Sequence, residues 1–551
     1  MKRERKFFLR YLSIILILSL ASPCFSSTTK KLLTVAESSQ FTATSRYTDV
    51  IEFIRVLQLQ SSYIRAETLC ISTEGRSIPL LVIGRPVPSS PFSLRHDKRA
   101  VVYIQANIHA GEVEGKEASL MLARDILLQD NPPFLDKLVI LIAPIFNADG
   151  NEKISPTNRR NQAGPEKGVG VRYNGQNLDL NRDGMKLESP EVQGLVRNVL
   201  MPWDPVLLVD CHTTNGSAHE EPVTYTWGFN PNGDIPIIEY MREKMMPSVQ
   251  KNLQEKYNVL SIPYGNFMDF SNPEKGWQPA GPQPRYITNY IGLRNRLAIL
   301  NENYAYADYK TRVLGCYNLL LSILEYCYDH KDEITQLVSK ADQKTILRGM
   351  NPSEADLFAV EYDLKPLKEN INIRGWEMEV TPREKGRPQV KRTDKKKTYS
   401  VPYFVDYVPK RSIRFPYAYL IPVSIPKIQE KFLQHGIMVE KLTESITLEV
   451  ESFKIKEIKG AERLYQGHRM NSVKGEYIME KKEFAKGTLY IATAQPLGNV
   501  AAYLLEPESD DGLLVWNFFD RYLVPQWRRE PQTYPVYRLL KPANFVKVKL
   551  E

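Results

Sequence analysis

The stretch AVVYIQANIHAGEVEGKEASLMLARDILL, residues 100–128, decides the fold class. Its first nine residues, 100–108, form an almost continuous apolar run, which is typical of a strand buried on both faces of a sheet. From Glu114 to about Gln129 the apolar residues recur at helical spacing. A buried strand that leads directly into a helix is the repeating unit of α/β proteins, so the sequence predicts that class.

Apolar runs and helical patterns alternate through residues 46–335. The other apolar runs lie at 80–86, 137–145, 205–211 and 296–302. Helical patterns lie at 235–257, where Pro247 is expected to cause a kink, and at 311–328. We therefore predict one α/β domain over this range, preceded by a Ser/Thr-rich linker at 27–45.

The pattern changes after about residue 335, where apolar and polar residues alternate as in strands with one buried face. We predict that 340–551 is a separable, mainly β accessory region of one or two subdomains that contributes no metal ligand. Segment 381–397 carries eight basic and two acidic residues, and we interpret it as a solvated loop rather than a patch for anionic surfaces. The other candidate elements are strands at 412–422, 446–455 and 488–495, and a helix at 424–435 with Ser424 as its N-cap.

Composition excludes several classes of protein. The 551 residues are 42% hydrophobic and 25% charged, which is too apolar for a disordered chain. Of the net charge of +9, residues 1–26 carry five basic residues and one acidic residue, which leaves +5 on the rest. That charge is small for a chain of this length and argues against a nucleic-acid partner. Five cysteines are too few for a disulfide scaffold.

The N-terminus has the three parts of a signal peptide. Residues 1–10 are basic, 11–21 are mostly apolar, and small residues follow. An apolar run of 11 residues is shorter than the roughly 20 that a membrane-spanning helix needs, which disfavours an uncleaved anchor. We expect cleavage near Ser26 and export to a periplasm or to the medium. Pro23 before Cys24 disfavours lipid attachment at that cysteine.

Two histidines follow buried strands at the positions where ligand sites form in α/β sheets. His109 comes directly after the run 100–108, with Glu112 three residues later, and His212 follows the run 205–211. Two imidazoles and one carboxylate with an open fourth position are the ligand set of a catalytic zinc site. Glu302 ends the last apolar run, and a buried carboxylate is costly unless it is used or paired, so it is a candidate general base.

As an ordered set, these motifs resemble zinc carboxypeptidases of the carboxypeptidase A type, peptidase family M14. The set is HAGE at 109–112, NADG at 147–150, DLNR at 179–182, DCHTT at 210–214, and Glu302. The resemblance covers about 46–330 and implies an α/β/α sandwich with a mixed, mostly parallel central sheet. It also implies one Zn²⁺ per chain and a peptide substrate with a free C-terminal carboxylate.

The resemblance implies a role for each matched residue. Zinc would be held by His109, Glu112 and His212, and Asp179 would orient His109. Asn181 and Arg182 would bind the terminal carboxylate of the substrate. Arg159 would stabilise the oxyanion, with Arg160 as the rival because the alignment could slip by one residue. Glu302 would take a proton from the zinc-activated water and pass it to the leaving amine.

Some positions depart from the family pattern or have an ordinary explanation. Neither Tyr286 nor Tyr290 has the expected spacing for the mobile tyrosine of the family, and Tyr286 is our choice for substrate binding. We interpret His219 as a surface residue and Cys211 as a buried strand residue.

Three functions are compatible with the sequence. The first is an exported zinc metallocarboxypeptidase that hydrolyses the C-terminal bond of peptides. The second is a cell-wall peptide hydrolase or a small-substrate amidase that uses the same zinc site. The third is a catalytically silent peptide- or glycan-binding protein, which the presence of every catalytic residue type disfavours.

Overall fold

The apolar runs of the first half form the strands of one mixed sheet in this computed structural model, which describes residues 31–214, 217–382, 388–422, 425–523 and 533–550. The strand order is β1-β2-β4-β3-β5-β10-β6-β7, and the central strands β4, β3, β5 and β10 are parallel to one another. A separate short pair is formed by β8 and β9. The strands are β1 (Ile64–Ile71), β2 (Ser77–Ile83), β3 (Ala100–Ala106), β4 (Leu138–Ala143), β5 (Leu207–Thr214), β6 (Val223–Trp227), β7 (Ser261–Pro263), β8 (Asn266–Phe267), β9 (Trp277–Gln278) and β10 (Leu297–Tyr304).

Helices cover this sheet, and every residue of β3, β4 and β5 is buried. Helices α3 and α8 both pack against α10, and α10 starts at an N-cap where the side chain of Asp308 accepts from the backbone N–H of Thr311 at 2.9 Å. The predicted α/β/α sandwich with a mixed, mostly parallel sheet is confirmed. The helices of this half are α1 (Val35–Ser38), α2 (Tyr47–Gln60), α3 (Glu114–Leu127), α4 (Ala148–Glu152), α5 (Pro190–Leu195), α6 (Met201–Trp203), α7 (Ile235–Tyr240), α8 (Met246–Tyr257), α9 (Ile287–Leu293), α10 (Tyr309–Asp329) and α11 (Lys331–Met350).

The helix predicted at 235–257 has an irregular turn in its middle. Helix α7 ends at Tyr240, a π-helical turn spans Met241–Met245, and α8 continues from Met246. Pro247 lies two residues after the end of that turn. Because proline has no N–H and its ring crowds the preceding turn, the wider π-helical turn accommodates it.

The second half of the chain is mainly β, as predicted. Seven strands form an antiparallel sheet in the order β18-β17-β20-β15-β19-β16-β21, and two further pairs are β11-β14 and β12-β13. The strands are β11 (Leu357–Pro366), β12 (Ile371–Thr381), β13 (Gln389–Val401), β14 (Phe404–Arg414), β15 (Ala418–Ile421), β16 (Glu440–Leu442), β17 (Ile446–Gly460), β18 (Asn471–Phe484), β19 (Leu489–Ala492), β20 (Thr533–Leu539) and β21 (Lys547–Lys549). The helices are α12 (Pro426–His435), α13 (Gly498–Leu505) and α14 (Asp520–Leu523).

The predicted division into domains stays a prediction, and no break in secondary structure marks its boundary near residues 335–340. Helix α11 runs through residues 335–340 without a break, and the described residues from Leu33 onward pack as one unit. The described part of the predicted linker at 27–45 is also packed, because the buried carboxylate of Glu117 accepts from the hydroxyl of Thr44 at 2.8 Å and from the N–H of Ser45 at 2.7 Å. These buried polar contacts make the lead-in segment part of the fold.

The prediction of a loop at 381–397 is wrong where the structure describes this segment. Strand β12 ends at Thr381, and β13 begins at Gln389 and continues through the rest of the segment. Pairing with β12 gives the backbone of this basic segment its hydrogen bonds, while most of its charged side chains stay exposed. The predicted signal peptide at 1–26 and Ser424 lie outside the described residues. No helix within the described ranges combines the length and apolarity needed to cross a bilayer.

Candidate metal centre and active-site cavity

The sheet brings His109 and His212 to one edge. Strands β3 and β5 are parallel neighbours with Ala106 opposite Cys211, so the residues that follow β3 lie beside the end of β5. After β3 the chain turns tightly, with the N–H of Glu112 donating to the carbonyl of His109 at 2.9 Å. This turn aims Glu112 at the two histidines, and all three residues are buried.

Three ligand atoms converge at this edge. The Nδ1 atoms of His109 and His212 are 3.1 Å apart, and the Oε2 atom of Glu112 lies 3.1 Å from the first and 3.0 Å from the second. In the described residues this is the one group of three or more His, Cys, Asp or Glu side chains that could hold a metal ion. The arrangement matches the predicted ligand set.

The outer ring nitrogens determine what the three atoms can bind. The Nε2 atom of His109 lies 3.0 Å from Asp179 Oδ1, and that of His212 lies 2.9 Å from Asp210 Oδ2. A carboxylate beside each Nε2 favours the proton there, which leaves each Nδ1 as an acceptor. Three acceptors then face one another, and a cation such as zinc satisfies all three.

Electrostatics at the site also favours positive charge. Burial opposes ionisation of Glu112, but His109 and Arg159 outweigh it and hold the pKa of that carboxyl well below its usual range. Burial likewise opposes charge on His212, yet Asp210 and Glu112 hold its pKa well above the ordinary value. The negative charge that surrounds the histidines is therefore matched to a bound cation.

Glu302 lies next to the metal candidate on the neighbouring strand. Strand β10 is parallel to β5, and Glu302 is the register partner of His212. The side chain is about nine-tenths buried, and its Oε2 atom has no hydrogen-bond partner in the described structure. Burial raises the pKa of Glu302 to about 8, with Glu112 adding to the effect and His212, Arg159 and Arg172 opposing it. A carboxyl of this kind can exchange a proton near neutral pH.

Asn181 and Arg182 follow Asp179 in a single 3₁₀ turn. The Oδ1 atom of Asp179 accepts from the N–H of Asn181 at 3.0 Å, so one carboxylate both faces His109 and starts this turn. The guanidinium of Arg182 lies over the ring of Tyr286, 4.5 Å from its centroid. The side-chain oxygen of Asn181 accepts from the N–H of Ile287 at 2.9 Å. These contacts bring the three predicted substrate-binding residues together.

The structure distinguishes Arg159 from Arg160. Arg159 donates to Glu112 Oε1 at 2.7 Å and to the carbonyl of Thr213 at 2.9 Å, which places it beside the metal candidate. Arg160 is exposed. The positive φ of 49° at Arg159 belongs to the turn that aims its side chain inward.

Three residues at the site were not predicted from the sequence. Asp210 lies two residues before His212 on β5, and this same-face spacing was a usable signal. Arg172 donates to Asp179 Oδ2 at 2.8 Å and lies 3.6 Å from Glu112 Oε1, and Tyr264 lines the cavity. Both of these lie in loops with no local pattern that marks them.

A cavity of about 220 Å³ lies beside the metal candidate and the predicted substrate-binding residues. His109, Glu112 and Glu302 line one part of it, and Asn181, Arg182 and Tyr286 line another. The remaining wall is neutral apart from Arg172, which is paired with Asp179, and includes Thr226, Trp227, Phe229, Thr288, Asn289 and Leu300.

Other sequence interpretations have mixed outcomes. His219 is buried rather than exposed, because β12 covers its loop and its ring packs 4.0 Å from that of Tyr304. Tyr290 is fully buried and bonded to His435, so it does not reach the cavity. Cys211 is buried on β5, as predicted.

Comparisons with known proteins agree with this geometry. A family model described as zinc carboxypeptidase matches residues 50–352, a range that contains every candidate site residue. Carboxypeptidase 2 of Trichophyton rubrum is 22% identical over 476 residues, which covers 82% of this chain and 80% of that protein. Coverage of that extent must continue past residue 352 into the mainly β half.

Two solved metallo-carboxypeptidases are also similar. The one from Pseudomonas aeruginosa, in complex with (2-guanidinoethylmercapto)succinic acid, is 17% identical with a TM-score of 0.39 and covers 52% of this chain and 69% of its own. The one from Burkholderia cenocepacia is 17% identical with a TM-score of 0.38 and covers 51% of this chain and 68% of its own.

Proposed function

The chain belongs to the zinc carboxypeptidase family, and from that premise we propose that it is an exported enzyme that removes the C-terminal residue of peptides, with one zinc ion per chain. The observation that carries the proposal is a single cavity lined by His109 and Glu112 of the converging ligand set, by Glu302 and by the pair Asn181 and Arg182. Export rests on the sequence pattern of residues 1–26.

The metal would be held by His109 Nδ1, His212 Nδ1 and Glu112 Oε2. Asp179 and Asp210 would keep both imidazoles in the tautomer that leaves Nδ1 free to bind. When bound, zinc supplies a Lewis acid that polarises a carbonyl and lowers the pKa of water.

Glu302 would act as the general base. Its free Oε2 atom can accept a proton from the attacking water and return it to the leaving amine. Arg159, which lies against Glu112, would donate to the oxygen of the scissile carbonyl as negative charge develops on it.

Arg182 and Asn181 would bind the free carboxylate of the substrate. A guanidinium that already lies flat on Tyr286 is oriented before substrate binds, which reduces the entropy lost on binding. Because the rest of the cavity wall is neutral apart from Arg172, whose charge is paired with Asp179, we propose that neutral C-terminal side chains are preferred over charged ones.

Two variants test the roles. Glu302→Gln removes the base without changing size, so turnover should fall by about 10²–10⁴ while zinc content stays near one per chain. Arg182→Ala removes a contact present in both ground and transition states, so it should mainly raise KM for free-carboxyl peptides.

A peptide with an amidated C-terminus is the matched substrate control. It should be poor for the wild type and equally poor for Arg182→Ala. If Arg182→Ala raises KM equally for the free-carboxyl and the amidated peptide, Arg182 does not bind the substrate carboxylate and the amidase function gains support. If only cell-wall peptides are cleaved, the cell-wall hydrolase replaces the general carboxypeptidase. Loss of zinc in Glu302→Gln would exclude its role as a base.

A further inference from the structure

The hairpin formed by β17 and β18 reaches the candidate active site with its tip. The tip is the tight turn Tyr465–His468, closed by backbone hydrogen bonds of 2.8 Å and 3.0 Å between its end residues. Both central residues have positive φ, 51° at Gln466 and 81° at Gly467. Positive φ at both central residues is characteristic of a type I′ turn, in which the first central position favours Asn, Asp or Gly.

Glutamine at that first position is an outlier that needs a reason. Its Cβ makes the left-handed conformation unfavourable, and it lacks the short side chain with which asparagine bonds to its own backbone. Backbone strain of this kind is found where a side chain serves a function. Here the Oε1 atom of Gln466 accepts from the backbone N–H of Asp179 at 2.8 Å, across 287 positions of sequence.

Asp179 connects several parts of the candidate site. Its side chain faces His109, starts the turn that carries Asn181 and Arg182, and accepts from Arg172. A hydrogen bond to the N–H of Asp179 therefore restrains the orientation of a metal-ligating histidine and of the carboxylate-binding pair together.

The tip is itself fixed to the first half of the chain. The Nε2 atom of His468 lies 3.0 Å from the carboxylate of Glu188, and its ring packs 5.5 Å from that of Trp516. The hairpin therefore holds the amide of Gln466 in a defined place.

A second contact holds the segment that carries Tyr286. The buried carboxylate of Asp511 accepts from the N–H of Arg285 at 2.9 Å and from its Nε at 3.0 Å. The guanidinium of Arg285 lies 5.7 Å from the ring centroid of Tyr465 and 5.3 Å from that of Trp516, and the next residue is Tyr286. The mainly β half thus contacts both segments that carry the candidate substrate-binding residues.

We propose that Gln466 is a positioning residue of the active site, which acts through the backbone of Asp179 on zinc binding and on recognition of the substrate carboxylate. The inference rests on the proposed function for Asp179, Asn181 and Arg182. It assigns the mainly β half a part in the site rather than an accessory role.

Gln466→Asn is the informative variant. The side chain of asparagine is one methylene too short to reach Asp179. Asparagine fits a type I′ turn better than glutamine, which offsets the lost hydrogen bond, so the melting temperature should change little. Loss of one hydrogen bond should raise the zinc dissociation constant and the KM for a free-carboxyl peptide by about two- to tenfold each. Zinc affinity is measured by chelator competition and needs no substrate.

Two further variants serve as controls. Gln466→Glu keeps an acceptor at the same reach and should restore both values to near those of the wild type. Leu464→Ala, at an exposed position in the same turn segment, should leave both unchanged.

The outcomes separate the two hypotheses. Wild-type zinc affinity and KM in Gln466→Asn would show that Gln466 is only a turn residue and would overturn this inference alone. A wild-type protein that binds no zinc would overturn the proposed function and the inference together. Zinc binding without peptidase activity would overturn the proposed function, and the zinc affinity of Gln466→Asn would still test the inference.

Discussion

His435 should make the stability of the protein fall as the pH is lowered below neutrality. This residue ends α12 and is fully buried against the first half of the chain. Arg294 donates to the hydroxyl of Tyr290 at 2.9 Å, so that hydroxyl donates its own proton to His435 Nδ1 at 2.7 Å. The Nε2 atom, 3.1 Å from the carbonyl of Met185, carries the proton of a neutral ring. The neutral imidazole is thus satisfied at both nitrogens.

The protonated, charged imidazole of His435 is disfavoured at this buried position. Burial lowers the pKa of His435 from its ordinary 6.5 to about 3, and the positive charges of Arg294 and Lys431 add to the effect, with the carbonyl of Met185 opposing it. Between pH 6.5 and 3 the unfolded chain binds a proton that the folded chain does not, so stability is lost as pH falls through that window. At 1.36 kcal/mol for each pKa unit, the free energy of unfolding should drop by about 2 kcal/mol between pH 8 and pH 5 from this residue alone.

Urea unfolding followed by tryptophan fluorescence, with a chelator present so that metal binding adds no pH dependence, measures this effect. His435→Asn should be less stable than the wild type at pH 8, because it removes the hydrogen bonds of the imidazole to Tyr290 and to the carbonyl of Met185. The difference should shrink by about 2 kcal/mol at pH 5. As a control, His96→Asn replaces an exposed histidine. Its free energy of unfolding should change between pH 8 and pH 5 by the same amount as that of the wild type. An equal difference at both pH values for His435→Asn would refute the reasoning.

Two further predictions concern buried carboxyls. Asp210→Asn keeps the shape beside His212 but removes the charge, so the zinc dissociation constant should rise about 10- to 100-fold in chelator competition, and an unchanged value would contradict the role of Asp210. Burial raises the pKa of Glu191 from its ordinary 4.5 to about 7, so the folded state keeps a proton that the unfolded state releases, and stability is lost as pH rises from 4.5 to 7. Glu191→Gln should therefore gain up to about 3 kcal/mol of stability over the wild type at pH 8 and little at pH 4, as measured by urea unfolding. A constant gain at both pH values would exclude titration as the cause.

The parts of the fold that were predictable are those with local signals. The apolar runs at β3, β4, β5 and β10 are strands because both of their faces are covered, and that coverage leaves a continuous apolar pattern in the sequence. The convergence of His109 and His212 follows from the same signal, since parallel strands end at one edge.

The parts that were not predictable depend on pairing between distant segments. The basic strand β13 has the composition of a loop, and only its register with β12 makes it a strand. His219 was expected at the surface because nothing near it in sequence shows that β12 lies over it. Arg172 and Gln466 reach Asp179 from a loop and from a hairpin tip, and no spacing rule connects such positions.

The distance along the chain between Asp179 and Gln466 has a consequence for biosynthesis. Translation adds about 5–20 residues per second, so the partner of the Asp179 amide, 287 positions later, is made roughly 15 to 60 s after it. Once His212 has been made, the ribosome carries for the rest of that interval a chain with all three candidate metal ligands but without the hairpin that contacts Asp179. A product that stops before residue 466 never gains that contact.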